Sequence, residues 1–380
     1  MKVLILCTYQ STYVVQLYSY VKKYYQDVHY SLFTQDKVKD YYIGKICKDV
    51  DEAIYSFGNH EYLCGVVASK LPYFDIIHSL WIERFWGEHA TIFRRKCKYW
   101  LCSVGGSDVY RDSKKMIYRM LQKRVIHRAD WISSEGTQTQ DYFNELYGNL
   151  GETKNHSIIR FGVDILDAID KMENISKEEL RKKYKIPSDK VVLMCGTNAR
   201  KEHQHVEMLH AIAQMPQEIK NRIFLLLPMT YGGDKDYIDE ISKLAQKIGK
   251  TRVLTDFLNT KEMAEVAKLT DILIHVKTTD QLSSAMLSHM YVGNVVIAGA
   301  WLPYDDLKNR GIEFFEVAKI SELSNTIPQI IESFDDIIIK CKDNKNKVHD
   351  ISSWEKSAKE WYNLYSRLIE NKETSYENSI

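Results

Sequence analysis

Residues 272–298 read ILIHVKTTDQLSSAMLSHMYVGNVVIA. The apolar run Ile272–Val276 has the length of a buried strand. A polar loop, Lys277–Gln281, leads to Ser283 and Ser284 at the start of a helical pattern, Ser283–Tyr291. Gly293-Asn294 ends that helix, and Asn294–Ala298 is a second apolar run. Two strands joined through a helix in this way lie parallel. The amides at the helix start favour an anion such as phosphate. The same residues also read as an ordinary strand–loop–helix with a serine cap.

The alternation extends outward in both directions. Before it come strand candidates Val191–Cys195, Ile223–Pro228 and Arg252–Thr255, with helical patterns at Glu202–Gln214, Tyr237–Ile248 and Lys261–Leu269. An earlier series has strands at Val3–Cys7, His29–Phe33, Ala53–Ser56, Ile76–His78, Tyr99–Val104 and Trp131–Ser133, with a helix near Val14–Tyr25. Strands separated by helices predict parallel sheets covered on both faces, an α/β fold. The second series restarts after Phe161–Ile165, so the expected domains are 1–162 and 163–350. No sequence repeat relates them. Residues 351–380 are expected to carry a last helix, Ser352–Ile369, and then a polar tail. Its Trp354, Trp361, Tyr362, Tyr365 and Leu368 suit packing back on the first domain. Lys342–Lys347 reads as a surface connection. Two such domains predict a cleft, with ligands beyond the carboxyl ends of the strands.

Bulk composition narrows the class. The chain has 380 residues, 44% hydrophobic and 27% charged, which argues against general disorder. Its net charge of +1 points to no partner. Seven scattered cysteines without a CxxC pair suit a reducing compartment and argue against a zinc ribbon. The start, MKVLILCTYQ, is too short in its apolar run for a signal peptide. No stretch reaches the roughly 18 apolar residues of a membrane span. A cytoplasmic protein is expected.

Several strand ends carry candidate chemistry. Met194–His205 reads MCGTNARKEHQH, with a turn at Gly196-Thr197-Asn198 and then Arg200 and Lys201. A solvated charged turn is the plain reading of that pair. His203 and His205, two apart, do not share a helical face, so a metal site is not expected. Leu227–Gly233, LPMTYGG, puts Tyr231 in a flexible turn. Val104–Arg111, VGGSDVYR, lets Gly106 and its neighbours approach a ligand, with Ser107 and Asp108 as polar contacts or Asp108 as a cap. His78, at another strand end, is either a ligand contact or structural.

On these residues, Thr278–Tyr304 resembles the donor-binding signature of family 4 (group 1) GT-B glycosyltransferases. That family has an acid opening the loop, a second acid eight positions later, and a small residue with glycine before the next strand. Alignment on Gly293 places the first acid at Asp280 and puts Ser288 where the family has its ribose-binding glutamate. A weaker resemblance links Gln281 and the Leu302-Pro303-Tyr304 turn to bacterial TDP-4-acetamido-4,6-dideoxygalactose transferases. Arg160–Asp164 is similar to the family's Gly-Val-Asp segment at the domain join.

The resemblance implies a GT-B fold of two Rossmann-like domains facing across a cleft, with the acceptor on the first and a nucleotide-sugar donor on the second. It implies that Arg200 and Lys201 bind the donor diphosphate and that Asp280 acts with them as catalytic. Gly196, Asn198, Tyr231, Gln281, Leu282, Ser283, Ser284 and Ser288 would line the donor. His78, Gly106, Ser107 and Asp108 would lie on the acceptor side. No metal is implied. The expected reaction moves a sugar, with retention, to a lipid-linked or polysaccharide acceptor in bacterial surface-glycan synthesis. A non-catalytic glycan-binding or partner-supporting protein and a nucleotide-sugar 2-epimerase share the fold and stand as rival readings.

Between Arg84 and Arg128 twelve Lys or Arg face three acids. Ser113–Arg128 alternates cations with Met116, Ile117, Met120, Leu121 and Val125, a basic amphipathic pattern. It reads as a solvated face or as a surface for anionic lipid on the inner face of the plasma membrane, with Trp81, Phe85, Trp86 and Trp100 as added anchors. No nucleic-acid module accompanies the charge, and no nucleic-acid partner is expected.

Overall fold

The computed structural model describes residues 1–8, 12–35, 53–58 and 60–370. The chain divides into two compact units, the described residues of 1–162 with 354–380 in one and 163–353 in the other.

The first unit holds strands β1 (Lys2–Leu6), β2 (His29–Thr34), β3 (Ile54–Ser56), β4 (Phe74–Leu80), β5 (Cys97–Ser103), β6 (Trp131–Ser134) and β7 (Asn155–Ile158). They pair in parallel in the order β3-β2-β1-β4-β5-β6-β7. The central strand KVLIL is buried on both faces because its side chains alternate. Val3 and Ile5 pack with Leu17, Tyr18 and Tyr365. Leu4 and Leu6 pack with Phe33, Trp86 and Trp100. The helix Trp354–Glu370 lies in the first of these layers through Trp361, Leu364, Tyr365 and Leu368. Gly162 gives it room, since a Cβ there would meet the Trp354 ring at 2.4 Å.

The second unit repeats the architecture with β8 (Val191–Cys195), β9 (Ile223–Pro228), β10 (Thr251–Leu254), β11 (Ile272–His275), β12 (Val295–Gly299) and β13 (Phe315–Val317). All pairs are parallel, in the order β10-β9-β8-β11-β12-β13. In β8, Val192 and Met194 enter one layer of the core, and Leu193 and Cys195 the other.

Several sequence expectations need correcting. Lys342–Lys347 is not a connection: helices Phe334–Lys342 and Asn344–Ser352 run through it, joined at Asp343. Asn344 is fully buried and exchanges hydrogen bonds with the backbone of Glu313, which fixes the junction. Glu202–Gln214 is not one helix. A single 3-10 turn, Lys201–His203, is followed by Gln204 in the left-handed region (φ 57°), and the helix runs His205–Ala213. The basic helix begins at Met116 rather than Ser113. Its apolar residues also separate: Leu121 and Val125 are buried, whereas Met116, Ile117 and Met120 face solvent. Phe85, Trp86 and Trp100 lie inside the core and cannot anchor a surface. The six cysteines among the described residues are buried. Among the described residues no helix is long and apolar enough to cross a membrane.

Candidate functional site

The carboxyl ends of β8, β9 and β11 gather most of the candidates in the second unit. After β8 the chain turns at Gly196, whose φ of +68° favours glycine. A Cβ there would also meet His205 Nε2 at 2.6 Å, so the turn admits no side chain. Asn198 then organises the loop. Its Oδ1 accepts from the Arg200 amide at 3.0 Å, and its Nδ2 donates to the Tyr231 hydroxyl at 3.3 Å. The Arg200 guanidinium lies over the Tyr231 ring, 5.8 Å from its centre. The Arg200 stem passes where a Cβ of Gly232 would be. Arg200 is exposed, and the Lys201 ammonium reaches Asp234 only at 3.8 Å. Two cations are thus presented beside an aromatic ring at the strand ends.

The loop after β11 is tied to the same region. The Thr278 amide donates to the Glu202 carbonyl at 2.9 Å, and Gln204 Nε2 donates to the Val276 carbonyl at 2.7 Å. Asp280 sits at the centre of a polar network. Lys277 Nζ donates to its Oδ1 at 2.7 Å, and the Tyr304 hydroxyl donates to its Oδ2 at 2.6 Å. His275 Nε2 lies 3.0 Å from that same oxygen. Burial alone would raise the Asp280 carboxyl. The His275 hydrogen bond and the Lys277 ammonium outweigh it and hold the group well below the usual carboxylate range. Asp280 is therefore a fixed negative charge that aims Lys277. Tyr304 is fully buried, and burial followed by the Asp280 charge pushes its phenol well above 10. His203, His205 and His275 are buried around this network, with the His203 and His275 rings 6.2 Å apart.

Gln281, Leu282, Ser283 and Ser284 are half-buried at the start of the helix Ser284–Val292. Ser283 Oγ caps it, accepting from the Met286 amide at 3.3 Å. Ser288 is a correction. Buried in mid-helix, it donates to the Ala285 carbonyl at 2.7 Å and presents nothing to a ribose. Phe257, exposed beyond β10 with its ring 6.4 Å from that of Tyr231, joins the aromatic group. Trp301 lies on Gly299 and donates from its indole to the Lys277 carbonyl at 2.7 Å. Lys277, His275 and Trp301 were not singled out from sequence, and Tyr304 was noted only as the aromatic residue of the Leu302-Pro303-Tyr304 turn. Only Lys277, as a cation in a strand-end loop, carried a readable signal.

The first unit has its own site beyond β1, β4 and β5. A cavity of about 440 Å³ is lined by Cys7, Trp81, Glu83, Ser107, Asp112 and Tyr118, among others. Asp108 also borders it, but its carboxylate is taken by backbone amides. Oδ2 accepts from Ile82 at 2.8 Å, and Oδ1 from Gly105 at 2.8 Å and Val109 at 3.1 Å. Burial raises this carboxyl against those hydrogen bonds, to about 7. Gly106 opens the short helix Gly106–Tyr110 on which Ser107 and Asp108 stand. His78 is a further correction. It is fully buried between the Tyr365 hydroxyl (2.8 Å) and Ser103 Oγ (2.6 Å), and burial lowers it to about 3. No acceptor can reach it.

Among the described residues, no group of three or more His, Cys, Asp and Glu side chains could hold a metal ion. No known family model matches the sequence. Over 256 residues it is 23% identical to an uncharacterized glycosyltransferase of Methanocaldococcus jannaschii, covering 66% of this chain. The chain matches only 62% of that relative's length. A glycosyltransferase from Rickettsia africae superposes with a TM-score of 0.75 at 15% identity, over 97% of this chain and 99% of that one. Sucrose-phosphate synthase from Thermosynechococcus elongatus gives 0.75 at 16%, over 97% and 99%. HepE of Anabaena, solved with UDP and glucose, gives 0.73 at 14%, over 96% and 99%. The chain has the GT-B glycosyltransferase fold, two parallel-stranded α/β units with interleaved helices.

Proposed function

We propose that the protein is a glycosyltransferase that takes a nucleotide-sugar donor at the strand ends of its second unit. The observation that carries this reading is the pairing of exposed Arg200 and Lys201 with the capped helix start at Ser283-Ser284. Both are suited to a diphosphate, and the cations stabilise the charge that develops as the glycosidic bond breaks. Lys277, aimed by Asp280, adds a third cation in the next loop. Asp280 acts through this positioning and through hydrogen bonds to the sugar with Gln281. The exposed Tyr231–Phe257 pair suits a nucleobase, and the UDP bound by HepE makes uridine diphosphate sugars the first donors to test.

The acceptor belongs to the first unit, as the saccharide end of a lipid-linked or polysaccharide chain in bacterial surface-glycan synthesis, and transfer proceeds with retention. Met116, Ile117 and Met120 stand exposed among Lys114, Lys115, Lys123 and Arg124, a surface suited to the anionic inner face of a membrane. The test is thermal unfolding with UDP, GDP, TDP and CMP and their sugars, followed by donor hydrolysis with any hit. Stabilisation by one diphosphate family with slow release of free sugar is expected. Arg200→Ala should slow that release roughly 10²-fold. A folded protein stabilised by no nucleotide would leave the non-catalytic reading in its place.

A further inference from the structure

We infer that the cavity beyond β1, β4 and β5 binds a saccharide ring that carries no negative charge, stacked on Trp81 and held by Glu83 and Asp112. This deepens the proposed glycosyl transfer and rests on it, since it assigns the chemical class of the acceptor.

The volume of about 440 Å³ falls within the ~300–1,000 Å³ range of small-molecule sites. Trp81 forms one wall in an unusual backbone conformation, with φ of +67° in a residue that is not glycine. Such strain persists only where the surroundings fix it. Here the Trp81 amide donates to the Ser103 carbonyl at 2.8 Å, and the indole occupies the space where a Cβ of Gly105 would stand, 2.2 Å away. The ring is therefore a prepared flat apolar surface, which suits the C–H face of a sugar.

The polar lining holds three carboxyls, Glu83, Asp108 and Asp112, and one guanidinium, Arg84. Glu83 accepts a hydrogen bond from the Thr8 hydroxyl, and Asp112, Ser107 and Tyr118 also line the cavity. Burial, with Asp108 and Asp112 adding like charge against the Thr8 hydrogen bond, pushes the Glu83 carboxyl up to about 8. Near neutral pH it keeps its proton and can both donate to and accept from a sugar hydroxyl. Among the described residues, the lining Arg84 and the neighbouring Lys115 are both engaged. Arg84 pairs with Glu61 and covers the Phe85 ring at 4.8 Å, and Lys115 sits over the Tyr118 ring at 5.0 Å. With Arg84 paired to Glu61, a phosphate or carboxylate entering this space meets the Asp112 carboxylate, a like-charge encounter that disfavours it. Hydroxyl-rich or amino-bearing rings meet complementary groups.

Saturation-transfer NMR on the full chain at pH 7 tests this with six probes. They are the methyl glycosides of glucose, galactose, N-acetylglucosamine and glucosamine, with glucose 6-phosphate and methyl glucuronide as the anionic pair. The first four should give signals at least roughly fivefold stronger than the anionic two. Trp81→Ala should abolish them, and Trp81→Phe should keep them. Asp112→Lys should bring the anionic probes up to the neutral ones. Thermal stabilisation by UDP, measured on the same samples, should not change in any of these variants. Anionic probes binding as well as neutral ones would overturn the inference, as would no saccharide binding at all. Signals that survive Trp81→Ala, or anionic probes that stay weak in Asp112→Lys, would also overturn it. Saccharide binding without any nucleotide binding would uphold this site while removing the transferase reading.

Discussion

The two units pack the same kind of sheet in the same way, yet their strand ends carry opposite chemistry. Beyond β8, β9 and β11 the prominent groups are cations, Arg200, Lys201 and Lys277, beside the exposed rings of Tyr231 and Phe257. Beyond β1, β4 and β5 they are carboxyls, Glu83, Asp108 and Asp112, around a strained tryptophan. The buried layers also differ. In the second unit burial lowers histidines, and in the first it raises the carboxyls of Glu83 and Asp108. A shared scaffold can thus carry cations at one set of strand ends and carboxyls at another, because strand-end loops vary while the core does not.

The strongest challenge to this contrast is a change of pH. Burial lowers His205 to about 4 and His289 to about 3, from 6.5. The unfolded chain protonates them first, so their contribution is complete above pH 6.5 and is lost as pH falls towards those values. Between pH 6.5 and 5 this costs about 2 kcal/mol for each buried histidine. Glu83 and Asp108 have the opposite sign: raised in the folded state, they favour folding at low pH and lose that contribution as pH rises through about 7 to 8. His78 is the one described exception in the first unit. Hydrogen exchange at pH 5 and pH 8 should show β8 and β11 losing more protection on acidification than β1 and β2. Equal losses would break the contrast.

A smaller effect compares two glycines whose Cβ positions are occupied by rings. Gly196→Ala combines a left-handed backbone with the His205 contact and should cost about 3 kcal/mol in urea unfolding. Gly105→Ala keeps an ordinary φ of −110° and displaces only the Trp81 indole, so about 1–2 kcal/mol is expected. The reverse order would mean that Gly196 is not the more constrained turn. The smallest effect concerns the surface. Met116→Ser, Ile117→Ser and Met120→Ser together should leave stability within about 0.5 kcal/mol, since all three are exposed. The same variant should sediment less with anionic vesicles, and unchanged sedimentation would remove the membrane reading.

Much of the core was legible because an apolar run such as Val191–Cys195 has few alternatives to a doubly buried strand. The edge strands β7 and β13 escaped because they are short and half-exposed, with polar residues such as Asn155 and Glu316. The Arg200-Lys201 turn could be read from a strand end followed by charge. The Asp280 network could not. It joins Asp280 to Tyr304, 24 residues on, and to His275 inside a strand, which only the folded sheet brings together. His78 was ambiguous for the same reason, since its partner Tyr365 is 287 residues away. Ser288 was aligned by spacing, but spacing does not tell which face of the helix is buried.

The most direct measurement is a calorimetric titration of UDP into the wild-type chain and into Arg200→Ala. The wild type should bind. The variant should bind at least roughly tenfold more weakly, about 1.4 kcal/mol, with its unfolding temperature unchanged in the absence of nucleotide. Equal affinity in the two proteins would contradict the placement of the donor diphosphate at the strand ends of the second unit.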